Sequence, residues 1–248
     1  MKILTSILLF LLNSNALNAQ NVQFDVNLEG FSSFGSVRVT DLNVLGTKPI
    51  SSFNYSEVGG SPFRDEKWNA AILFTSTYNI FIPQVKLNFY TGEIWYKNEN
   101  KEVRSINSGT LKKIVFFKGD DTTHPEAKFV YLQNIGTGIN HYFQVLSEGK
   151  TQLFKLDSII FYKMPYDVLN GKQEYTFLNH TDYYLFHNGT MSKIRSLSKE
   201  QVFEILQPTP EDKAWVKKNN NNHIRNETDL VLFMGYYNYT HKDASAPQ

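Results

Sequence analysis

The chain of 248 residues contains no cysteine. That excludes disulfides, thiolate metal sites, a cysteine nucleophile and a lipid-modified N-terminal cysteine. Net charge is nearly absent too, because 25 Lys and Arg face 24 Asp and Glu to leave +1. A chain so balanced has no global field to draw in nucleic acid or an anionic membrane, so no nucleic-acid partner is expected. Beyond the first twelve residues no apolar run approaches the roughly 20 residues that a membrane-spanning helix needs. Chemical signatures are equally scarce. H-E-x-x-H, Walker A, G-x-G-x-x-G and the G-x-S-x-G elbow are all missing, so the sequence implies no metal and no cofactor.

What is present begins with an export signal. Lys2 supplies a positive n-region, and "ILTSILLFLL" (Ile3 to Leu12) is an apolar stretch of h-region length. The polar run Asn13 to Asn15 stops it well short of a membrane span. Cleavage after Ala19 would leave Gln20 first. Residues 1–19 therefore read as a signal peptide, and the expected location is periplasmic, outer-membrane-associated or extracellular.

Aromatic residues make up 15% of the chain, which favours strands with a substantial core. From about Asn21 to Arg195 the hydrophobic pattern has period two, as in "VQFDVNL", "GSVRVTDLNV", "QVKLNFY", "KFVYLQN" and "TQLFKL". Short turn signals separate the strands, and such spacing implies an antiparallel meander because parallel strands need long crossovers. Residues 20–195 are thus expected to form a curled antiparallel sheet, open or partly closed into a barrel or clam.

Two hairpins fix a register. A two-residue loop at Thr91-Gly92 places Phe89 opposite Ile94 and Leu87 opposite Tyr96. Val85, Leu87 and Phe89 then share one face with Ile94 and Tyr96, while Lys86 and Asn88 lie opposite with Trp95 and Lys97. In "YYLFHNGTMSKI" the Asn188-Gly189 pair is the strongest type I′ signal, because both central positions of that turn need φ > 0. It sets His187 opposite Thr190 and Tyr183 opposite Ile194, and it aligns Asp182 with Arg195 as a cross-strand ion pair. His180, Asp182 and His187 look like a ligand set at first sight. Both His180 and Asp182 differ in parity from His187, so a regular strand points them to opposite faces. The stretch reads as a hairpin.

After Arg195 the period becomes helical. Ser198 with Gln201 forms a capping box, Thr209 precedes Pro210 at a first helical position, and Asn226 caps a third segment. Residues 196–240 read as a tail of about three short α-helices docked on the sheet. Val202, Ile205, Leu206, Trp215, Leu230 and Phe233 are the expected contacts, with Trp215 the anchor of the middle helix. Residues 241–248 read as a disordered end.

Candidate site residues are few. The polar loop Gly119 to Lys128 offers Asp120, Asp121, His124 and Glu126, but it lacks the alternating acidic spacing of an EF-hand loop. Phe89, Trp95, Tyr96 and Phe117 form a pool from which a curled sheet could build an apolar ligand surface. Five N-x-[ST] sequons occur, at Asn54, Asn179, Asn188, Asn226 and Asn238.

Some stretches also resemble a known group. "GGSPFRDEKW", "VKLNFYTGEIWYKNENKEV", "SEGKTQLFK" and "KEQVFEILQPTPEDKAWVKKNN…ETDLVLFMGYYN" occur in the order seen in a set of uncharacterised exported proteins of Bacteroidetes-type bacteria. The poly-Asn run at Asn219 departs from the lysine-rich loop of that group. The resemblance implies a periplasmic or outer-membrane-associated protein and transfers no catalytic residue.

The functional expectation is an exported, non-enzymatic binding or envelope-associated module whose ligand is an envelope component or an apolar small molecule. The alternative is a secreted hydrolase in which folding gathers carboxylates such as Asp65, Glu66, Asp120 and Asp121. An outer-membrane barrel is a weaker third class, because lysines such as Lys112, Lys113, Lys118 and Lys155 are spread through the strands.

Overall fold

The computed structural model describes residues 48–49, 55, 58–106, 109–118, 123–132, 141–219 and 222–241. The expected signal peptide, the first two strand segments and residues 242–248 lie outside these. The fold is mainly β, an open antiparallel sheet followed by three α-helices. The strands are β1 (Lys48–Pro49), β2 (Asn69–Phe74), β3 (Asn79–Leu87), β4 (Ile94–Lys97), β5 (Val103–Ile106) and β6 (Lys113–Phe117). They continue with β7 (Pro125–Leu132), β8 (His141–Ser147), β9 (Gln152–Lys163), β10 (Tyr175–His187) and β11 (Thr190–Ile194).

The spatial order is β1-β5-β4-β3-β2-β6-β7-β8-β9-β10-β11. Two antiparallel meanders therefore share β2 at their junction: one runs outward through β3 to β5, and the other runs from β6 to β11. A single buried cluster takes Ile106 from β5, Ile94 and Tyr96 from β4, Val85 and Leu87 from β3, Phe116 from β6, Phe129 from β7 and Tyr142 from β8. In a flat sheet β5 and β8 would lie six strand spacings apart, about 29 Å. One contiguous core drawn from both means that the sheet curls around it.

The curl is strapped by the segment before β2. Gly59 bridges Thr176 of β10, with Gly59 N–H donating to Tyr175 and Phe177 N–H donating to Gly59. Four residues on, Phe63 bridges Asn88 just beyond β3. Gly60 holds φ +78, and a side chain there would meet the Phe177 carbonyl at 2.9 Å. Only glycine fits so close a crossing in that conformation.

Both expected hairpins form. At Asn188-Gly189 all five pairs from His187↔Thr190 to Tyr183↔Ile194 form, with φ +49 and +78 at the turn. Asp182 pairs with Lys193 at 2.7 Å instead of Arg195, because β11 ends at Ile194. The other hairpin departs from the expected loop. Asn88 accepts hydrogen bonds from Tyr90 N–H and Thr91 N–H through its side chain, so Phe89 to Gly92 become a four-residue turn. Leu87 then faces Ile94, and Val85 faces Tyr96. The slip is two residues, so every side chain in the paired strands keeps its expected face.

The helices are α1 (Lys199–Leu206), α2 (Pro210–Asn219) and α3 (Glu227–Thr240). Ser198 accepts from Gln201 N–H, and Asn226 accepts from Asp229 N–H. At α2 the cap is reciprocal: Thr209 Oγ1 accepts from Asp212 N–H while Asp212 Oδ2 accepts from Thr209 N–H. Such boxes satisfy helix-end donors that would otherwise lack partners. The tail buries Val202, Leu206, Val216, Leu230, Phe233 and Met234 against Leu153, Leu185 and Ile194 of the sheet. Trp215 is only half-buried and stacks on Tyr236 of α3 at 4.6 Å. Val216, fully buried, is the inward residue of α2. The tryptophan is a helix–helix contact, because its position on the 3.6-residue repeat turns it away from the sheet.

Candidate functional site: an aromatic ledge on the strap

The four aromatics expected to share a ligand surface part company. Tyr96 is 2% exposed inside the curl and Phe117 is 0% exposed in a separate cluster with Ala70, Ile72 and Val115. Phe89 packs against the main core with its ring 6.1 Å from Phe129. Alternation along the strands explains the split, since adjacent strand residues point to opposite faces. The interior of the curl is filled by these side chains.

Trp95 belongs to something else. Its ring lies 4.8 Å from Phe63 and 5.8 Å from Tyr55, and Tyr55 reaches Phe177 at 5.6 Å. Phe177 contacts Tyr90 at 5.4 Å and Phe161 at 5.7 Å, and Phe161 stacks on Tyr175 at 5.1 Å. Seven rings thus run unbroken across the strap, from the β3–β4 hairpin to the far end of β9 and β10. Most pairs are tilted or edge-on, the arrangement that the ring quadrupoles favour. Tyr90 and Tyr175 are 40% and 37% exposed, so the run has an open side.

Its polar rim is specific. Asn88 donates to the Tyr55 hydroxyl at 3.4 Å, and Trp95 Nε1–H donates to Glu93 at 3.3 Å. Burial raises the Tyr55 pKa against the lowering pull of the Asn88 bond, so the phenol stays neutral. Lys86 lies over the Phe63 ring at 4.8 Å and Trp68 at 5.3 Å, while Lys97 covers Trp68 at 4.8 Å. The cations close one end of the run.

The charged candidates are placed differently. Asp120 and Asp121 lie outside the described residues. His124 is exposed and shares a 2.8 Å hydrogen bond with Thr123. Glu126 pairs with Arg64 at 3.0 Å, and that guanidinium sits over Phe116 at 5.0 Å and Phe129 at 5.7 Å. Asp65 caps a turn, accepting from Lys67 N–H at 2.9 Å and Asn69 at 3.1 Å, and the first of these bonds does most to lower its pKa. Glu66 points to solvent, 4.0 Å from Lys86. Among the described residues no group of three or more His, Asp or Glu could hold a metal ion. His187 shares a 2.7 Å hydrogen bond with Thr151 and contacts the Tyr237 ring, which seats it against α3. Asn238, one of the five sequon asparagines, is buried with its amide engaged by Thr151.

No known protein family, curated protein or solved structure matches the chain. The ledge therefore stands on its own geometry. The strap residues that build it, Tyr55 and Phe63, carry no period-two signal because they lie outside the strands. The "GGSP" turn was the one local signal.

A buried lysine lies outside the ledge. Lys113 on β6 sits 4.0 Å from the centre of the Phe74 ring, and burial, with the nearby Lys128 charge second, lowers its pKa from 10.5 to about 8. A lysine whose folded pKa falls below its unfolded value binds fewer protons when folded, so stability rises with pH across that window. Wild-type stability should therefore climb as pH rises from about 8 toward 10.5. In Lys113→Met that difference should vanish, and the variant should be the more stable protein near neutrality. Urea midpoints of both proteins at the two ends of the window check it.

Proposed function

We propose that the protein is a non-enzymatic binding module exported to the cell envelope, with the aromatic ledge as its contact surface. The observation that carries the reading is the run of seven touching rings across the strap, open on the side of Tyr90 and Tyr175. Ring faces bind by stacking, and the Tyr55 phenol, set by the buried Asn88 amide, and the Glu93 carboxylate give the run a polar edge. That pairing suits a ligand with a flat apolar face and a hydroxyl-bearing edge. Export rests on Lys2 and the apolar run from Ile3 to Leu12, and the resemblance to exported bacterial proteins supports the same destination.

Tryptophan fluorescence reports on the ledge directly because Trp95 lies within it. Titration with soluble fragments of envelope glycans and with apolar small molecules should give a saturable change for one class. Tyr90→Ala should weaken that binding by about tenfold, the scale of one lost aromatic contact. A flat titration for every ligand, together with native mass spectra free of any co-purified species, would sink the reading.

A further inference from the structure

The β9–β10 hairpin outgrows its sheet. Strand β8 pairs with β9 only between Leu153 and Lys155, and β11 pairs with β10 only from Tyr183 to His187. Beyond Asp157 and Thr181 the hairpin continues as a two-stranded ribbon through Lys163 and Tyr175, about 20 Å at 3.3 Å per residue. One face carries the ledge rings Phe161, Tyr175 and Phe177, against which Tyr55 and Tyr90 pack, and the strap pairs with the ribbon edge at Thr176. The other face shows Ile160 opposite Leu178 and Tyr162 opposite Thr176, with exposures of 53%, 44% and 43% for the three large side chains. No charged residue interrupts that face between Ser158 and Met164.

The apex is more unusual. Val168 and Leu169 are 81% and 96% exposed, the highest values of any large apolar residue described. They are held there by an ordered turn. Asp167 accepts from Leu169 N–H, Asn170 N–H and the Asn170 amide, and it pairs with Lys172 across the turn, where Gly171 takes φ +62. A turn that fixes two aliphatic side chains outward gains nothing in water by doing so.

We infer that this apex inserts into the interface of a lipid bilayer. The order along the hairpin is that of an interfacial segment. Aliphatic Val168 and Leu169 lead, exposed Tyr166 stands directly behind them, and Tyr162 and Tyr175 follow further down the ribbon on the headgroup side. Lys172 pairs with Asp167 directly behind the apex and Lys163 pairs with Tyr175 further down, so ammonium groups can meet phosphates at two depths, with Asp167 and Glu174 balancing the charge. With no net charge at the tip, insertion is driven by apolar burial and does not require anionic lipid. A second copy of the chain is a poorer occupant, because a stable interface engages roughly 20–30 residues a side and the tip is two strands wide. Val168 and Leu169 are not ledge residues, so the two surfaces can be tested separately. The ledge binds soluble ligand through Trp95, whereas the tip is read by vesicles.

The chain from Gln20 onward, free of the apolar run that would bind lipid by itself, should co-float with vesicles of pure phosphatidylcholine, and added phosphatidylglycerol or high salt should change the bound fraction little. The double variant Val168→Asp, Leu169→Asp should lower the partition by about tenfold or more, as expected when two aliphatic side chains no longer enter an apolar phase. Its melting temperature should equal that of the wild type, because both residues are exposed. Leu169→Trp should show a blue-shifted emission with vesicles, quenched by lipids brominated on the acyl chain. Absence of vesicle binding by the wild type would overturn the inference. So would binding confined to anionic vesicles and lost in salt, undiminished binding by the double variant, or self-association of the wild type that the double variant abolishes.

Discussion

Asn238→Ala should destabilise the protein by about 2–4 kcal/mol, a large share of the ~5–15 kcal/mol typical of a domain. The side chain projects from α3 into the β8–β9 turn and is buried there. Its carbonyl oxygen accepts from Thr151 N–H at 3.0 Å, and its amide donates to the Thr151 carbonyl at 2.7 Å and the Glu148 carbonyl at 3.1 Å. Thr151 is itself 1% exposed, so truncation leaves its N–H and C=O without water or partner. The turn is built around this contact. Gly149 has φ +145, and a Cβ there would lie 2.6 Å from the Asn238 amide carbon. Gly149→Ala should therefore cost a similar amount through clash and backbone strain together. The two losses should not add. In the double variant the clash partner is gone, so the sum of single effects should exceed the double effect by about 1 kcal/mol or more. Urea denaturation of the four proteins measures the cycle, and strict additivity would show that the glycine and the asparagine act separately.

This clamp was invisible to pattern reading, and the reason is physical. Asn238 lies on the same helix face as Leu230, Phe233, Met234 and Tyr237, and hydrophobic periodicity treats an asparagine there as a gap. Its value comes from a turn some 90 residues earlier in the chain. The features that were legible are those that local chemistry decides. Asn188-Gly189 dictates its own turn, Ser198, Thr209 and Asn226 cap their helices, and period two assigns faces. Parity survived even where the loop was misplaced, since the slip at Asn88 was two residues. What the pattern could not carry is strand order. Nothing local says that β2 is flanked by β3 on one side and β6 on the other, or that Gly59 reaches Thr176.

The same limit explains the site. Trp95 was a candidate, but its companions are strap residues and hairpin residues that are distant in sequence. Phe89, Tyr96 and Phe117 entered the pool by composition and left it by burial or packing. A curled sheet consumes its inward aromatics in its own core, and the rings of the ledge meet instead where the curl is strapped. The ribbon beyond β8 adds to this, since a two-stranded hairpin alone is marginal in water. Its backing by the ledge rings makes the ribbon and the ledge one mechanical unit, and the apex at Val168 and Leu169 is held at the end of it.

Phe233→Ala should be the costliest single truncation in the helical tail, about 3–5 kcal/mol. Phe233 is 0% exposed and its ring touches Phe203 at 5.8 Å, Tyr237 at 5.9 Å and Trp215 at 6.2 Å. It lies in the cluster that joins the helices to Leu153, Leu185 and Ile194 of the sheet, so a cavity there loosens both layers. Trp215→Ala removes a larger side chain but a half-buried one, whose main partner is Tyr236 on the outer side of α3. About half the cost follows, because only the area taken from water contributes. For a domain of this size each kcal/mol shifts the midpoint by about 2–4 °C, so Phe233→Ala should lower it by roughly 6–20 °C. Both variants should unfold in one transition, since the helices share a core with β9, β10 and β11. Calorimetry reads both points. Equal costs for the two variants would restore Trp215 as the anchor, and an early separate transition would show that the tail folds apart from the sheet.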